Sequence, residues 1–214
     1  MTSTVKTAPS TTSNSAEAAE TLFAAISNRR SSGLSRLSTD LVDRRLIEHM
    51  LEAANWAPSH GDTEPWRFTV FSGNGREALA ELFDNAHRDR QNGQLSLDVK
   101  DGHRKRVYAA PVWISIGMSP ARRENGSLLM TEEEEIIAVA CAVQNLHLMA
   151  STLGLAGMWH SKGSSVDPFV ARGLGLEPPD RLLGFFMCGK PASDPPQGIR
   201  RPMSEKVTWV EDRS

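Results

Sequence analysis

The sequence predicts an α+β fold in which helices flank a central sheet. Helical and strand-like segments alternate along the chain, but irregularly, which disfavours a regular doubly wound α/β fold. Residues 110–118 form an almost unbroken apolar run, typical of a strand at the centre of a sheet. Residues 131–153 have the length and the end signals of a long helix whose middle is apolar on all sides. Such a helix must be covered all round, and in a chain of 214 residues a second subunit is the easiest source of cover.

The composition is that of an ordinary globular protein. Hydrophobic residues make up 39% of the chain, charged residues 23%, and the formal net charge is −2. Without an excess of positive charge, we expect no nucleic-acid partner. Cys141 and Cys188 lie inside apolar runs, as buried thiols do in a reducing compartment. No apolar run is long enough to cross a membrane, so we expect a cytoplasmic protein.

Apolar periodicity and helix start and stop signals define the elements. Residues 1–13, rich in serine and threonine, are predicted to be a disordered tail that precedes a single domain over 14–214. The segment 88–106 is polar and irregular in pattern, and the Pro-rich arm 190–202 is suited to reaching a partner's sheet edge. Helices are expected at 14–28, from about 43 to 58, from 76, at 131–153 and near 166–173, and strands at 66–73, 110–118, 155–159, 182–188 and 207–210.

The motifs of several enzyme classes are absent from the sequence. It contains no G-x-x-x-x-G-K-[ST] phosphate loop, no complete dinucleotide fingerprint after a strand and no G-x-S-x-G elbow. Its six histidines show no paired metal-ligand spacing. A metal enzyme or a nucleophile enzyme is therefore disfavoured. The residue types that remain are arginines, hydroxyls, aromatics and backbone groups, which suit a cofactor that brings its own reactivity.

Four separated segments carry the chemistry of a flavin mononucleotide (FMN) site. Arg29-Arg30-Ser31 offers two planar, permanently charged forks and a hydroxyl, a donor set that suits a phosphate dianion. The alternative is that these cations simply suit the C-terminus of the preceding helix. The other segments have equally plain alternatives, namely a polar loop, a buried tryptophan and a solvated arm. They are NWAPSHGDTEPWRF (55–68), GLAGMWHSKG (154–163) and IRRPMSEKVTWV (199–210).

Four stretches of sequence, in this order, carry a family resemblance: NRRS, LEAANWAPSHGDTEPWRF, GLAGMWHS and RRPMSEKVTWV. They resemble the signatures of the nitroreductase-like FMN flavoproteins, most closely the compact YdjA-like branch. The resemblance covers about residues 20–212. It implies a nitroreductase-like fold with a mostly antiparallel sheet, in an intertwined homodimer with FMN at the subunit interface. It also implies ping-pong hydride transfer from NAD(P)H through FMN to an electron-poor small molecule such as a nitroaromatic or a quinone.

The resemblance further implies which residues bind the phosphate end of FMN. Arg29 and Ser31 would hold the phosphate or the ribityl chain, and Arg30 would lie near the pyrimidine edge or the ribityl chain. Arg200 would join the phosphate cluster, with Arg201 as the competing choice.

The remaining cofactor contacts implied by the resemblance come from both subunits. Trp159, His160 and Ser161 would complete the pocket, and the partner subunit would contribute Trp56, Pro58, Ser59 and His60. Many relatives have glutamine before Pro-Trp, where this chain has Glu64. A carboxylate that faces the flavin would disfavour the negatively charged reduced ring, unless Arg30 or Arg67 neutralises it.

Two alternative functions stay open. A specialised reductase on the same fold, of the dehalogenase or flavin-degrading type, would need a dedicated lid, for which 88–106 is the candidate. The basic end of that segment, His103 to Arg106, could meet a nicotinamide-dinucleotide phosphate, although a solvated helix face is the simpler interpretation. A flavin-binding or redox-sensing protein with little turnover is mildly favoured by Glu64.

Overall fold

A computed structural model describes residues 11–211, in which four strands form one antiparallel sheet of order β1-β2-β4-β3. The α+β prediction is confirmed. The first ten residues of the predicted tail lie outside the described residues, and the first helix begins at Thr11. The strands are β1 (Trp66–Ser72), β2 (Val112–Met118), β3 (Ala156–His160) and β4 (Arg181–Gly189). The helices are α1 (Thr11–Asn28), α2 (Arg44–Asn55), α3 (Arg76–Arg90), α4 (Leu97–Tyr108), α5 (Glu132–Thr152) and α6 (Pro168–Gly173).

Helices cover both faces of the sheet, as the buried pattern of β2 requires. Every residue of β2 is buried. Ile114 and Ile116 belong to the core that α2 and α5 form on one face, whereas Trp113 packs with residues of α3, α4 and α6 on the other. Successive side chains of a strand point to opposite faces, so a strand that is apolar throughout needs cover on both. None of the helices within 11–211 combines the length and the apolar character needed to cross a bilayer.

The long helix α5 begins and ends where the sequence predicts. The Thr131 side chain accepts a hydrogen bond from the Glu134 amide, and the Glu134 carboxylate accepts one from the Thr131 amide, which completes a capping box. Gly154 follows the helix with a φ of +74°, a conformation that suits glycine. The chain covers only part of the helix surface, because Ile137 stays 62% exposed.

The prediction of an irregular segment at 88–106 is wrong for most of that segment. Residues 97–108 form α4, whose first turn is capped by the Ser96 hydroxyl. Asp84 of α3 binds two residues of α4, with 2.7 Å from its carboxylate to His103 Nδ1 and 2.8 Å to Arg104 Nη1. These bonds from Asp84 link α3 to α4 and stabilise a helix that lacks a clear apolar stripe. Two residues of its basic end, His103 and Arg104, are thus engaged by Asp84.

The prediction of a strand at 207–210 is also wrong for the isolated chain. These residues form no ladder, and Val207, Trp209 and Val210 are exposed. A strand needs a neighbour that pairs with its amides and carbonyls, and no strand of the described residues pairs with this segment. The preceding arm is tied down, since the Ala192 amide donates to the Arg36 carbonyl at 2.9 Å.

Candidate functional site

Three arginines from two distant parts of the chain come together at the end of α1. Burial lowers the pKa of Arg29, and the nearby charges of Arg200 and Arg30 lower it further. Among the residues from 11 to 211, no carboxylate forms an ion pair with any of these three arginines. The cluster therefore concentrates positive charge without a protein counter-ion, which suits a doubly charged anion such as a phosphate monoester.

Arg30 holds the arm 190–202 against the end of α1. Its guanidinium donates to three carbonyls: 2.6 Å to Ser27, 2.8 Å to Arg29 and 3.1 Å to Pro196. Most of its hydrogen-bonding capacity is thus spent on the backbone, while its charge remains in the cluster. Its predicted contact with FMN stays a prediction.

Arg200, and not Arg201, is the residue of the arm whose charge acts on Arg29. Its guanidinium donates to the preceding carbonyl, that of Ile199, at 2.8 Å. At Arg201, the carbonyl accepts a hydrogen bond from Lys206 Nζ at 2.7 Å. The arrangement favours Arg200 for the phosphate cluster.

A buried histidine that the sequence analysis did not select lies directly beneath the arginines. His147 of α5 places Nε2 3.1 Å from the Arg30 carbonyl and Nδ1 3.4 Å from Arg29 Nη1. A carbonyl only accepts, so Nε2 carries the proton and Nδ1 is the acceptor for Arg29. Burial and the Arg29 charge lower the pKa of His147 to about 4, so the ring is neutral near pH 7.

Strand β3 connects the arginine cluster to the predicted aromatic wall. Ser31 forms a parallel β-bridge with Gly157, and the Ser32 amide donates to the Gly157 carbonyl at 2.8 Å. From Gly157 the strand runs three residues to His160, a distance of about 10 Å at the usual strand rise. The structure therefore brings Arg29 and Ser31 to one end of a single strand and the segment 159–161 to the other.

At this second end, Trp159 and Ser161 line a cavity of about 680 Å³. The indole Nε1 of Trp159 donates to the Leu183 carbonyl at 3.0 Å, which fixes the ring. A volume of this size is typical of small-molecule sites. Its walls are mainly apolar, with contributions from Ile136, Val166, Leu176, Leu182 and Leu183.

His160 lies beside this cavity among cationic groups. Its Nδ1 is 3.0 Å from Ser165 Oγ and 3.3 Å from Arg106 Nη2. Burial lowers the pKa of His160, and the charges of Arg106 and Lys162 lower it further. The lowered pKa favours the neutral ring near pH 7, in which Nδ1 can accept a hydrogen bond from Arg106.

The loop 58–64 lies far from the arginines within one chain. His60 Nδ1 is 2.9 Å from the carboxylate of Glu134, at the start of α5. Hydrogen bonds from His60 and from Thr131 lower the pKa of Glu134 to about 2. Glu134 and His147 are thirteen residues apart on α5, or about 20 Å along the helix axis. The single chain therefore does not bring Pro58, Ser59 and His60 to the cluster at Arg29.

Trp56 and Glu64 also face away from the rest of the chain. Trp56 is 80% exposed, and its Nε1 donates to the Glu52 carboxylate at 3.0 Å. Glu64 is exposed with a φ of +43°, and its carbonyl, not its carboxylate, accepts from Arg67 at 2.9 Å. Arg67 therefore forms no ion pair with Glu64. Within residues 11–211, no group of three or more potential metal ligands is placed to hold a metal ion.

Comparison with known proteins gives consistent matches along this chain. The model of the nitroreductase family matches residues 26–190. YdjA of Escherichia coli K12, assigned by its name to the NAD(P)H nitroreductases, is 28% identical over 164 residues, which are 77% of this chain and 85% of YdjA.

Solved structures show the same fold. A nitroreductase-like family protein from Bacillus cereus superimposes with a TM-score of 0.73 at 24% identity, over 99% of this chain and 100% of that protein. The FMN-dependent nitroreductase NfnB from Mycobacterium smegmatis, solved in complex with NADPH, gives 0.65 at 22% identity, over 92% of this chain and 99% of NfnB.

Proposed function

This chain belongs to the nitroreductase family, and on that premise we propose that it is an FMN-dependent oxidoreductase. It uses NAD(P)H to reduce an electron-poor small molecule, such as a nitroaromatic or a quinone. The observation that carries this proposal is the cluster of Arg29, Arg30 and Arg200, whose charges have no carboxylate partner within 11–211. Uncompensated guanidinium charge beside a hydroxyl is a donor set that suits a terminal phosphate.

The distance along β3 supports a flavin nucleotide over a smaller anion. Arg29, Arg200 and the Ser31 hydroxyl would bind the phosphate. Two residues along β3 from Gly157, or about 7 Å at the usual strand rise, the fixed indole of Trp159 would form a flat apolar wall for the ring. When bound, FMN supplies the hydride-transfer chemistry between the nicotinamide and the acceptor. The protein contributes binding, orientation and positive charge, and no side chain is needed as a nucleophile.

We also propose that two copies of the chain form the functional unit. Phe23 of α1 is 70% exposed. It is one of several large apolar side chains whose exposure to water is energetically unfavourable. A second copy would cover it, and would bring the loop 58–64 to the other subunit's arginines, which the same chain cannot reach. Further exposed apolar residues are Leu22, Ile26, Trp56, Ile137, Ile199, Trp209 and Val210.

The decisive experiment is the absorption spectrum and sedimentation of the purified protein, followed by anaerobic titration with NADH and with NADPH. We expect a yellow dimer with one FMN per subunit that is bleached by a nicotinamide. It should regain its colour on addition of a nitroaromatic or a quinone. A colourless monomer would contradict the proposal. A yellow protein that neither nicotinamide reduces would favour the flavin-binding alternative.

A further inference from the structure

We propose that His147 is a positioning residue, which aims the Arg29 guanidinium at the phosphate of the flavin nucleotide without neutralising its charge. This inference rests on the proposed function and concerns a residue of α5 that is remote from Arg29 in sequence. It makes the buried imidazole responsible for the selectivity of the site for a phosphorylated flavin.

The imidazole holds both the charged group of Arg29 and the backbone next to it. Nδ1 lies 3.4 Å from Arg29 Nη1, and Nε2 donates to the carbonyl of Arg30 at 3.1 Å. His147 is only 6% exposed, and its ring packs edge-on against Phe186 at 5.0 Å between centroids. Because His147 lies within the 21-residue helix α5, five residues before its last residue, these two bonds are held by a regular element.

Arg29 keeps donors available for a ligand. The hydrogen bonds of its guanidinium to the described residues run from Nη1, toward Ser31 Oγ and His147 Nδ1, both at 3.4 Å. A guanidinium has five N–H donors in a fixed fork, so the bonds at Nη1 set the direction of the rest. The two bonds at Nη1 therefore orient the remaining N–H groups of the Arg29 guanidinium.

His147 differs from the usual side chain that orients an arginine because it carries no charge. A carboxylate is the common partner that orients an arginine, but its charge would cancel the attraction for a phosphate. Burial and the Arg29 charge hold the pKa of His147 at about 4, so the ring accepts a hydrogen bond while it remains uncharged. The phosphate then meets the full charge of the cluster.

Three substitutions in the full-length chain, stripped of flavin, test this role. Binding of FMN and of riboflavin, which lacks the phosphate, is measured for each variant by quenching of flavin fluorescence. His147→Leu should weaken FMN about tenfold or more, which corresponds to about 1.4 kcal/mol, and change riboflavin less than about twofold. His147→Gln should retain FMN binding close to that of the wild type, because an amide can donate to the Arg30 carbonyl and accept from Arg29.

His147→Glu is the matched test of charge, since glutamate and glutamine have nearly the same shape. We expect the glutamate variant to lose the preference for FMN over riboflavin that the glutamine variant keeps. This pair decides the question even if the leucine variant does not fold. Equal binding of FMN by the glutamate and glutamine variants, or parallel loss of FMN and riboflavin, would overturn the positioning role. A wild-type chain without preference for FMN would overturn the phosphate site itself, and the inference with it.

Discussion

Ser31 and Gly157 form a parallel β-bridge that fixes the end of α1 on the edge strand β3. The neighbouring Ser32 amide reinforces this joint through its 2.8 Å bond to the Gly157 carbonyl. This backbone contact sets the position of the arginine cluster relative to Trp159 and His160, because Ser31 is bridged to the same strand that carries these two residues. The geometry of the proposed phosphate site thus depends on close backbone approach at a glycine.

Gly157→Ala should destabilise the protein by about 1–3 kcal/mol, as overpacking in a tight interior does. A Cβ at this position would lie 2.6 Å from the Met187 carbonyl oxygen and 2.7 Å from the Phe186 ring. Gly33→Ala is the matched control, since nothing lies within 4 Å of its Cβ position and its φ is −73°. Urea denaturation of both variants measures the difference, and equal stability of the two would contradict the close approach.

Local signals explain which elements the sequence could predict. The ends of α5 follow from Thr131, Glu134 and Gly154, which act through neighbouring backbone groups and so are visible in a short stretch of sequence. The helix α4 depends on bonds from Asp84 to His103 and Arg104, across some twenty residues. Such tertiary pairs leave no periodic pattern, so this segment was predicted to be irregular.

The same distinction applies to the candidate site. Arg29 and Ser31 stand out because charge and hydroxyl are adjacent in sequence. His147 contacts Arg29 from 118 residues away, and a single histidine in an apolar helix has no spacing that marks it. In the arm, neither helical nor strand periodicity separates Arg200 from Arg201, and only the folded chain reveals which charge acts on Arg29.

Arg200→Ala should weaken FMN binding about tenfold or more, because one charge of the phosphate cluster is lost. Arg201→Ala removes the same charge one residue away and should change the dissociation constant less than about threefold. Fluorescence titration of the two flavin-free variants at one fixed ionic strength compares them directly, since surface charge effects depend on salt. A larger loss for Arg201→Ala would assign the phosphate contact to the other arginine.

Phe23→Ser should weaken self-association of the chain. Phe23 is 70% exposed on α1 beside Leu22 and Ile26, and a phenylalanine buried in an interface contributes about 1.5–3 kcal/mol. Leu97→Ser is the control, because Leu97 is 77% exposed at the start of α4, a different helix from the one that carries Phe23. Sedimentation equilibrium over a range of concentrations measures both. If Leu97→Ser dissociates the protein and Phe23→Ser does not, the subunit interface does not include α1.

The stability of the flavin-free protein should fall between pH 7 and pH 4 in a way that depends on His147. Burial and the Arg29 charge lower the pKa of the folded histidine from 6.5 to about 4. In this window the unfolded chain binds a proton that the folded chain does not, so acid favours unfolding. The contribution of the uncharged His147 to the free energy of unfolding is complete above about pH 6.5 and is lost as the pH falls toward 4. For a pKa shift of this size, the loss is roughly 3 kcal/mol.

His147→Gln isolates this effect, because glutamine keeps the hydrogen-bonding groups but does not titrate. Urea denaturation of the wild type and the variant at pH 7, 6, 5 and 4 should give curves that converge or cross as the pH falls. All other titrating groups are common to both proteins and cancel in the difference. Parallel curves would mean that His147 is protonated as readily in the folded chain as in the unfolded one. In that case the neutral acceptor beneath Arg29 would not exist.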